Sequence, residues 1–264
     1  MCSMISMSSM ISVTSRDNPL LKELRKIAHD NIAYRKTGRV WAEGDHLCSA
    51  VLLRGWKPAI AVFSEENMPL THAQYANAAI KSIVIPAALF REISGLESPA
   101  GMGFVLDLPS STALNPTMPS VILDRVQDAG NVGSILRSAG AFGFKQIIAL
   151  KGTAALWSPK VLRAGMGAHF GLQLHEGVAL DALQALTMPL IVTSSHQGEL
   201  IQALKPPYPC AWAFGHEGQG VGDELMARAN LHARIGQPGG EESLNVAAAA
   251  AICLHASTCI NRNP

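Results

Sequence analysis

The sequence predicts an α/β protein in two parts: a small first domain, then a larger one built on a parallel sheet. Three observations carry that prediction. Short strand-like apolar runs alternate along the chain with segments whose apolar residues recur at helical spacing. A polar stretch from Pro109 to Pro119, containing three prolines, breaks the composition once and reads as a linker. Beyond it, glycine-rich turns bearing amides, carboxylates or hydroxyls recur at strand ends near Asn131, Glu217 and Ser243. Open parallel sheets bind ligands at such strand ends.

Residues 1–10 lack both a basic leader and a sustained apolar core, so they read as a disordered tail rather than a secretory signal. The first domain spans 11–108. Residues 11–16 have strand character, and Asn18-Pro19 opens a helix with Leu20, Leu21, Leu24 and Ile27 at helical spacing. Lys22, Arg25 and Lys26 occupy its other faces. A strand and turn follow at 40–44 and a helix at 46–54, ending on Gly55. Strands are expected at 59–63, 82–85 and 103–108, with a helix over 73–80. Gly101-Met-Gly103 imitates a dinucleotide-binding loop, but the third glycine is missing and no helix follows.

The second domain, 120–264, opens on a buried strand at 120–124. A strand-to-helix turn at 130–133 leads into a helix carrying Arg137, about a turn and a half beyond Asn131. A strand at 146–150 precedes a partly helical stretch, 157–167, that bears Lys160 and Arg163. Further strands fall at 172–175, 190–194 and 211–214, with a helix at 180–186. The turn from Gly215 to Gly220 leads into a helix at 223–229, and a short strand follows at 231–235. Gly236, Pro238, Gly239 and Gly240 then set an unusual backbone path before an alanine-rich helix running from Ser243 to about Cys259. Ser243 or Asn245 is placed to cap that helix, whose first N–H groups suit an anion or polar ligand. Its apolar residues lie all round, which predicts burial on most sides.

The 264 residues are 48% hydrophobic, ample for a full core, and no apolar run is long enough to cross a bilayer. Five scattered cysteines without a C-x-x-C pair argue against a disulfide framework and a zinc site, and point to a reducing cytosol. The nine histidines show no ligand spacing, so no metal is expected. A net charge of +1 rules out a chain-wide basic footprint. Any basic surface is local, and Arg16, Lys22, Arg25, Lys26, Arg35, Lys36 and Arg39 concentrate early in the chain.

Each turn alone has a plain structural explanation, because Gly and Asn are common in turns for steric reasons. Arg137 alone reads as a surface ion pair on a helix. Three such turns in one domain favour a composite site. Their residues resemble the SpoU (TrmH-like) family of RNA ribose 2'-O-methyltransferases, within the SPOUT superfamily. The similarity rests on Asp124 to Gly143, on Phe214-Gly-His-Glu-Gly-Gln-Gly, and on Ile235 through Glu242-Ser-Leu-Asn-Val-Ala, in that order. Leu162-Arg163-Ala-Gly-Met-Gly-Ala resembles the family's basic element. Asn18-Pro19-Leu and Ala42-Glu43-Gly44 are more weakly similar to its small substrate-binding domain. Two departures affect loop geometry: Ala129 stands where the family usually has Pro, and Gly236-Gln237 separates Ile235 from the Pro that commonly follows it.

The resemblance implies a deep trefoil knot in the second domain and S-adenosyl-L-methionine bound there, near Thr193, Gly215, Ile235 and Leu244. Gly215 is expected to let the backbone approach that ligand. Arg137 would act on the ribose hydroxyl and its phosphate, with Asn131, Glu217, Ser243 and Asn245 orienting the parts. Ribosomal or transfer RNA would meet Lys22, Arg25, Lys26 and Arg163, and the C-terminal domain would form a homodimer in the cytoplasm. Two other classes compete: a nucleotide-binding α/β protein, and an inert RNA-binding module that keeps the knot. The first lacks a complete G-x-G-x-x-G, and the intact polar residues argue against the second.

Overall fold

The structure is a computed structural model that describes residues 10–68, 75, 78–194, 197–239 and 243–259. It divides into two compact units, Met1–Ser110 with Trp157–Phe170, and Ser111–Leu156 with Gly171–Pro264.

The first unit holds a mixed sheet of five strands: β1 (Met10–Ser12), β2 (Arg39–Glu43), β3 (Ile60–Ser64), β4 (Lys81–Ile85) and β5 (Met102–Asp107). Their order is β1-β4-β3-β5-β2, and β5 runs antiparallel to both neighbours. The strand expected over 11–16 is shorter, because only residues 10–12 pair with β4 before the chain turns towards Asn18. Helix α1 (Pro19–His29) starts where the Asn18 side chain accepts the Leu20 N–H at 2.9 Å, and it buries Leu21, Leu24, Ile27 and Ala28. Helix α2 (Tyr34–Thr37) stops at Gly38, whose φ of +68° suits a residue without Cβ. Helix α3 (Asp45–Leu53) lies one residue off its expected span.

Helix α4 (Ala87–Ile93) was not expected from the sequence; Leu89, Phe90 and Ile93 bury it against the core of Leu21, Leu24, Val62 and Ile83. Of the helix expected over 73–80, residues 73, 74, 76 and 77 lie outside the described residues. Tyr75 is helical, and 78–80 form a turn and bend. The late segment Trp157–Phe170 completes this unit. Its helix α6 (Pro159–Ala164) is capped by Ser158, and Trp56 donates its indole N–H to the Phe170 carbonyl at 2.9 Å.

The second unit is built on seven strands, β6 (Ser120–Asp124), β7 (Gln146–Leu150), β8 (Gln173–Val178), β9 (Leu190–Thr193), β10 (Glu199–Leu200), β11 (Ala211–Gly215) and β12 (Leu231–Arg234). All pairs are parallel, in the order β10-β12-β9-β11-β6-β7-β8. Every residue of β6, β7 and β11 is buried, which explains their unbroken apolar runs. Buried Gln146 fastens the segment leading into β6: its amide bonds both the N–H and the carbonyl of Asn115 and reaches Ser120 Oγ at 2.8 Å.

The stretch read as a turn at 130–133 is already helix. Helix α5 (Ala129–Ala141) begins directly after Asp128, whose carboxylate accepts the Asn131 N–H at 2.7 Å and so caps the helix earlier than the glycines suggested. The helix expected over 180–186 is a 3-10 helix, Leu180–Ala185. Short α7 (Ile201–Leu204) and α8 (Asp223–Arg228) follow. The last helix, α9 (Val246–Cys259), packs against α5 and β11. Its burial is one-sided: Ala250, Cys253, Leu254 and Ser257 are covered, whereas Ile252 is 41% exposed. Among the described residues, no helix is long and apolar enough to cross a membrane.

Candidate active site

From β6 the chain moves outward to β7 and β8, then returns to build β9, β11 and β12 on the other side. The reversal lies between β6 and β11, and ligands of such sheets bind beyond the carboxyl ends of the strands. Register brings those ends level: Asp124 pairs with Gly215, and Leu123 with Ala149.

Asp124, at the end of β6, braces the segment after β11 from outside the cleft lining. It is 7% exposed, accepts the Gly222 N–H at 2.8 Å, and is gripped by the neighbouring Arg125 through Nε and Nη2 at 3.0 and 3.1 Å. Arg125 takes φ +60°, an unfavourable region for a side-chain-bearing residue. Its backbone N–H donates to Thr153 Oγ1, and its Nη1 donates to Gln219 at 3.0 Å. The hydrogen bond to Asp124 foremost keeps this guanidinium more basic than usual.

One wall is the turn after β11, where His216 and Gly220 exchange backbone hydrogen bonds. His216 Nδ1 accepts the N–H groups of Gly218 and Gln219, which places the proton of a neutral ring on Nε2. A Cβ on Gly215 would meet the Gly220 carbonyl carbon at 2.1 Å. Glycine is therefore required here by the turn's own backbone, and the same residue lines the cleft.

Glu217 joins three segments. It accepts the N–H groups of Gln127 and Asp128 at 3.2 and 3.1 Å, and the Asn131 side-chain amide at 3.1 Å. The Asn131 amide oxygen in turn accepts from Asn245 Nδ2 at 2.9 Å. Asn245 is the cap of α9, its Oδ1 receiving the N–H groups of Ala247 and Ala248. Partial burial alone would raise the Glu217 pKa. The hydrogen bonds from Asn131 and the backbone outweigh it and hold the carboxyl below its ordinary range.

A cleft of about 500 Å³ opens at the carboxyl ends of β9, β11 and β12, between the turn after β11 and the start of α9. Thr193, Gly215, Glu217, Ile235, Ser243, Leu244 and Asn245, all singled out in the sequence, line it. Asn131 does not line it but holds Glu217 and Asn245 together. Arg137 does not line it either. It is exposed on α5, about 9 Å along the axis from Asn131, and has no hydrogen-bond or ion-pair partner among the described residues. The surface ion pair that would explain it structurally is therefore missing among those residues.

The four basic residues expected to meet RNA are in the first unit and differ in status. Lys22 pairs with Asp17 at 3.0 Å and Arg25 with Glu92 at 2.8 Å. Arg163 donates to the Gly95 carbonyl at 2.9 Å. Exposed Lys26 alone of the four has no partner among the described residues. Sequence reasoning missed Arg125, His216, Gln219 and Gln237. The last three line the cleft, but only the paired strand ends reveal which residues after a strand face it.

Residues 118–255 match the model of the SpoU rRNA methylase family. The chain is 28% identical over 250 residues to the 23S rRNA (guanosine(2553)-2'-O)-methyltransferase RlmP of Bacillus subtilis, covering 93% of this chain and 98% of that one. It is 27% identical over 257 residues to an uncharacterised tRNA/rRNA methyltransferase of Synechocystis, covering 94% and 93%. The crystal structure of an AdoMet-bound rRNA methyltransferase from Sinorhizobium meliloti superposes with a TM-score of 0.82 at 25% identity, covering 96% of this chain and 99% of that one. With its parallel sheet, its strand-end cleft and these matches, the chain belongs to the SpoU rRNA methylase family.

Proposed function

We propose that this protein transfers a methyl group from S-adenosyl-L-methionine to a ribose 2'-hydroxyl of ribosomal or transfer RNA. The observation that carries the reading is the junction of three distant segments through Glu217, Asn131 and Asn245, at the edge of a cleft of ligand size. About 500 Å³ falls within the ~300–1,000 Å³ typical of small-molecule sites. Val221, Met226, Ile235 and Leu244 supply apolar walls for a purine, and Ser243, Asn245 and Glu217 supply polar groups. These residues fit the methyl donor. When bound, it supplies a methyl group on a sulfonium that is already a good leaving group.

The protein's task is then positioning. Glu217 and Asn131 fix the loop after β6 against the turn after β11, and Asn245 ties both to the start of α9. Arg137 clamps the phosphate beside the reacting ribose. A guanidinium carries no free lone pair and has a pKa of about 13, so it does not take the hydroxyl proton. Ser243 is exposed at the rim and orients the ribose. Residues 11–108, together with the later segment Trp157–Phe170, form the RNA-binding domain, with Lys22, Arg25, Lys26 and Arg163 as phosphate contacts. Lys26 is the freest of these.

Residues 120–264, apart from Trp157–Phe170, form the knotted domain. The placement of β11 between β6 and β9, and the return of α9 onto α5 and β11, support that reading. The enzyme is a cytoplasmic homodimer. Ile252 forms an apolar groove with Phe142, Ile201 and Ala251, which a second copy of α9 covers. Mapping 2'-O-methyl groups in the RNA of a strain lacking the gene tests the proposal. One or a few sites lose methylation if it holds; an unchanged map overturns it.

A further inference from the structure

Gln237 follows the last sheet strand and lines the cleft beside Ile235, Leu244 and Val246. Its side-chain oxygen is shut off from solvent and has no hydrogen-bond partner among the described residues. More than 90% of buried polar groups in folded proteins are paired, and one left unpaired costs about 1–3 kcal/mol. A buried acceptor in a ligand cleft is therefore matched to a donor that the ligand brings. Its amide is uncharged, so it suits a neutral donor; a buried ammonium would call for a carboxylate.

The apolar neighbours narrow the ligand part further. Ile235, Leu244, Val246, Met226 and Val221 suit the flat faces of a heteroaromatic base, while hydroxyl groups are better served by Ser243 and Asn245. Gln237 also stands between Ile235, just past the end of β12, and Pro238. Accordingly, we infer that Gln237 reads the adenine of S-adenosyl-L-methionine, its side-chain oxygen accepting a hydrogen bond from the exocyclic 6-amino group. This assignment rests on the cofactor reading above and adds a base-specific contact to it. Gln237 is a specificity residue, remote from the methyl group.

Calorimetry with S-adenosylhomocysteine and its 6-deamino analogue, on the full-length protein and on Gln237→Leu, tests the inference. Leucine fills a similar volume without an acceptor. The wild type is expected to bind the deamino analogue about tenfold more weakly than S-adenosylhomocysteine. Gln237→Leu should lose about tenfold for S-adenosylhomocysteine and bind both ligands equally. Gln237→Glu keeps an acceptor and should again prefer the amino compound, which separates hydrogen bonding from a packing defect.

Undiminished binding of S-adenosylhomocysteine by Gln237→Leu would overturn the inference. So would an equal loss for both ligands, or a wild type indifferent to the amino group. Failure of the wild type to bind S-adenosylhomocysteine would instead overturn the cofactor reading itself.

Discussion

On the proposed function, Arg137 meets the RNA and Glu217 holds the loops of the site together. Arg137 is exposed and unpaired among the described residues, so its removal releases no buried partner. Arg137→Ala should leave stability and S-adenosyl-L-methionine affinity nearly unchanged while single-turnover methyl transfer falls at least about 100-fold. Arg137→Lys should recover little, because an ammonium cannot reproduce the planar fork on a phosphate. A fully active Arg137→Ala enzyme would return the residue to a solvated surface role.

Glu217 is held in its ionised form by the bonds from Asn131, Asp128 and Gln127. Its folded pKa lies below the ordinary 4.5. Its contribution to stability is therefore full above that value and is lost as the pH falls through the lower folded one. The stability difference between wild type and Glu217→Gln should be constant at neutral pH and shrink in acid. A difference that grows on acidification would contradict the assignment.

At the scale of elements, α9 and β11 set the geometry. Buried Trp212 on β11 donates its indole N–H to Ser257 Oγ at 2.8 Å, and Ser257 donates to the Cys253 carbonyl within α9. Ser257→Ala leaves the indole N–H buried and unpaired, at a cost of about 1–3 kcal/mol. A melting point lower by about 2–6 °C is expected, with the affinity for the methyl donor weakened because Asn245 begins the same helix. An unchanged melting point would show that α9 is held by packing alone. The turn after β11 is the less tolerant element. Gly215→Ala should lower both stability and ligand binding, since the new Cβ must displace the Gly220 backbone.

Some elements were legible because their physics is local. The apolar runs of β6, β7 and β11 signal strands buried on both faces, and Asn18-Pro19 marks a helix start. Helix α4 was missed because its seven residues are too few to establish a period, and tertiary burial of Phe90 and Ile93 decides it. The start of α5 was placed too late because Gly130 and Gly133 signalled a turn more loudly than Asp128 signalled a cap.

Across the whole molecule, the site depends on contacts that sequence order cannot display. Asn131 bonds Glu217 across 86 positions and Asn245 across 114. The three motifs could be read as parts of one composite site, yet that Asn131 is its central link, and that Arg125 is bound up with Asp124 and Gln219, follows only from the folded sheet. The first unit makes the same point differently: Trp157–Phe170 belongs with residues far earlier in the chain, although its sequence position suggested the second domain. Likewise Arg16, Arg25 and Arg39 of the early basic cluster pair with Glu92 or Asp107, carboxylates distant in the chain that composition alone could not assign to it.

The most direct measurement is methyl transfer from S-adenosyl-L-methionine labelled on its methyl group to purified ribosomal and transfer RNA. Digestion to nucleosides then locates the label. The account predicts a single 2'-O-methylnucleoside from one RNA class, absent when Arg137→Ala is assayed beside the wild type. Label found on a base, or no transfer to any RNA by a protein that binds the methyl donor, would contradict it.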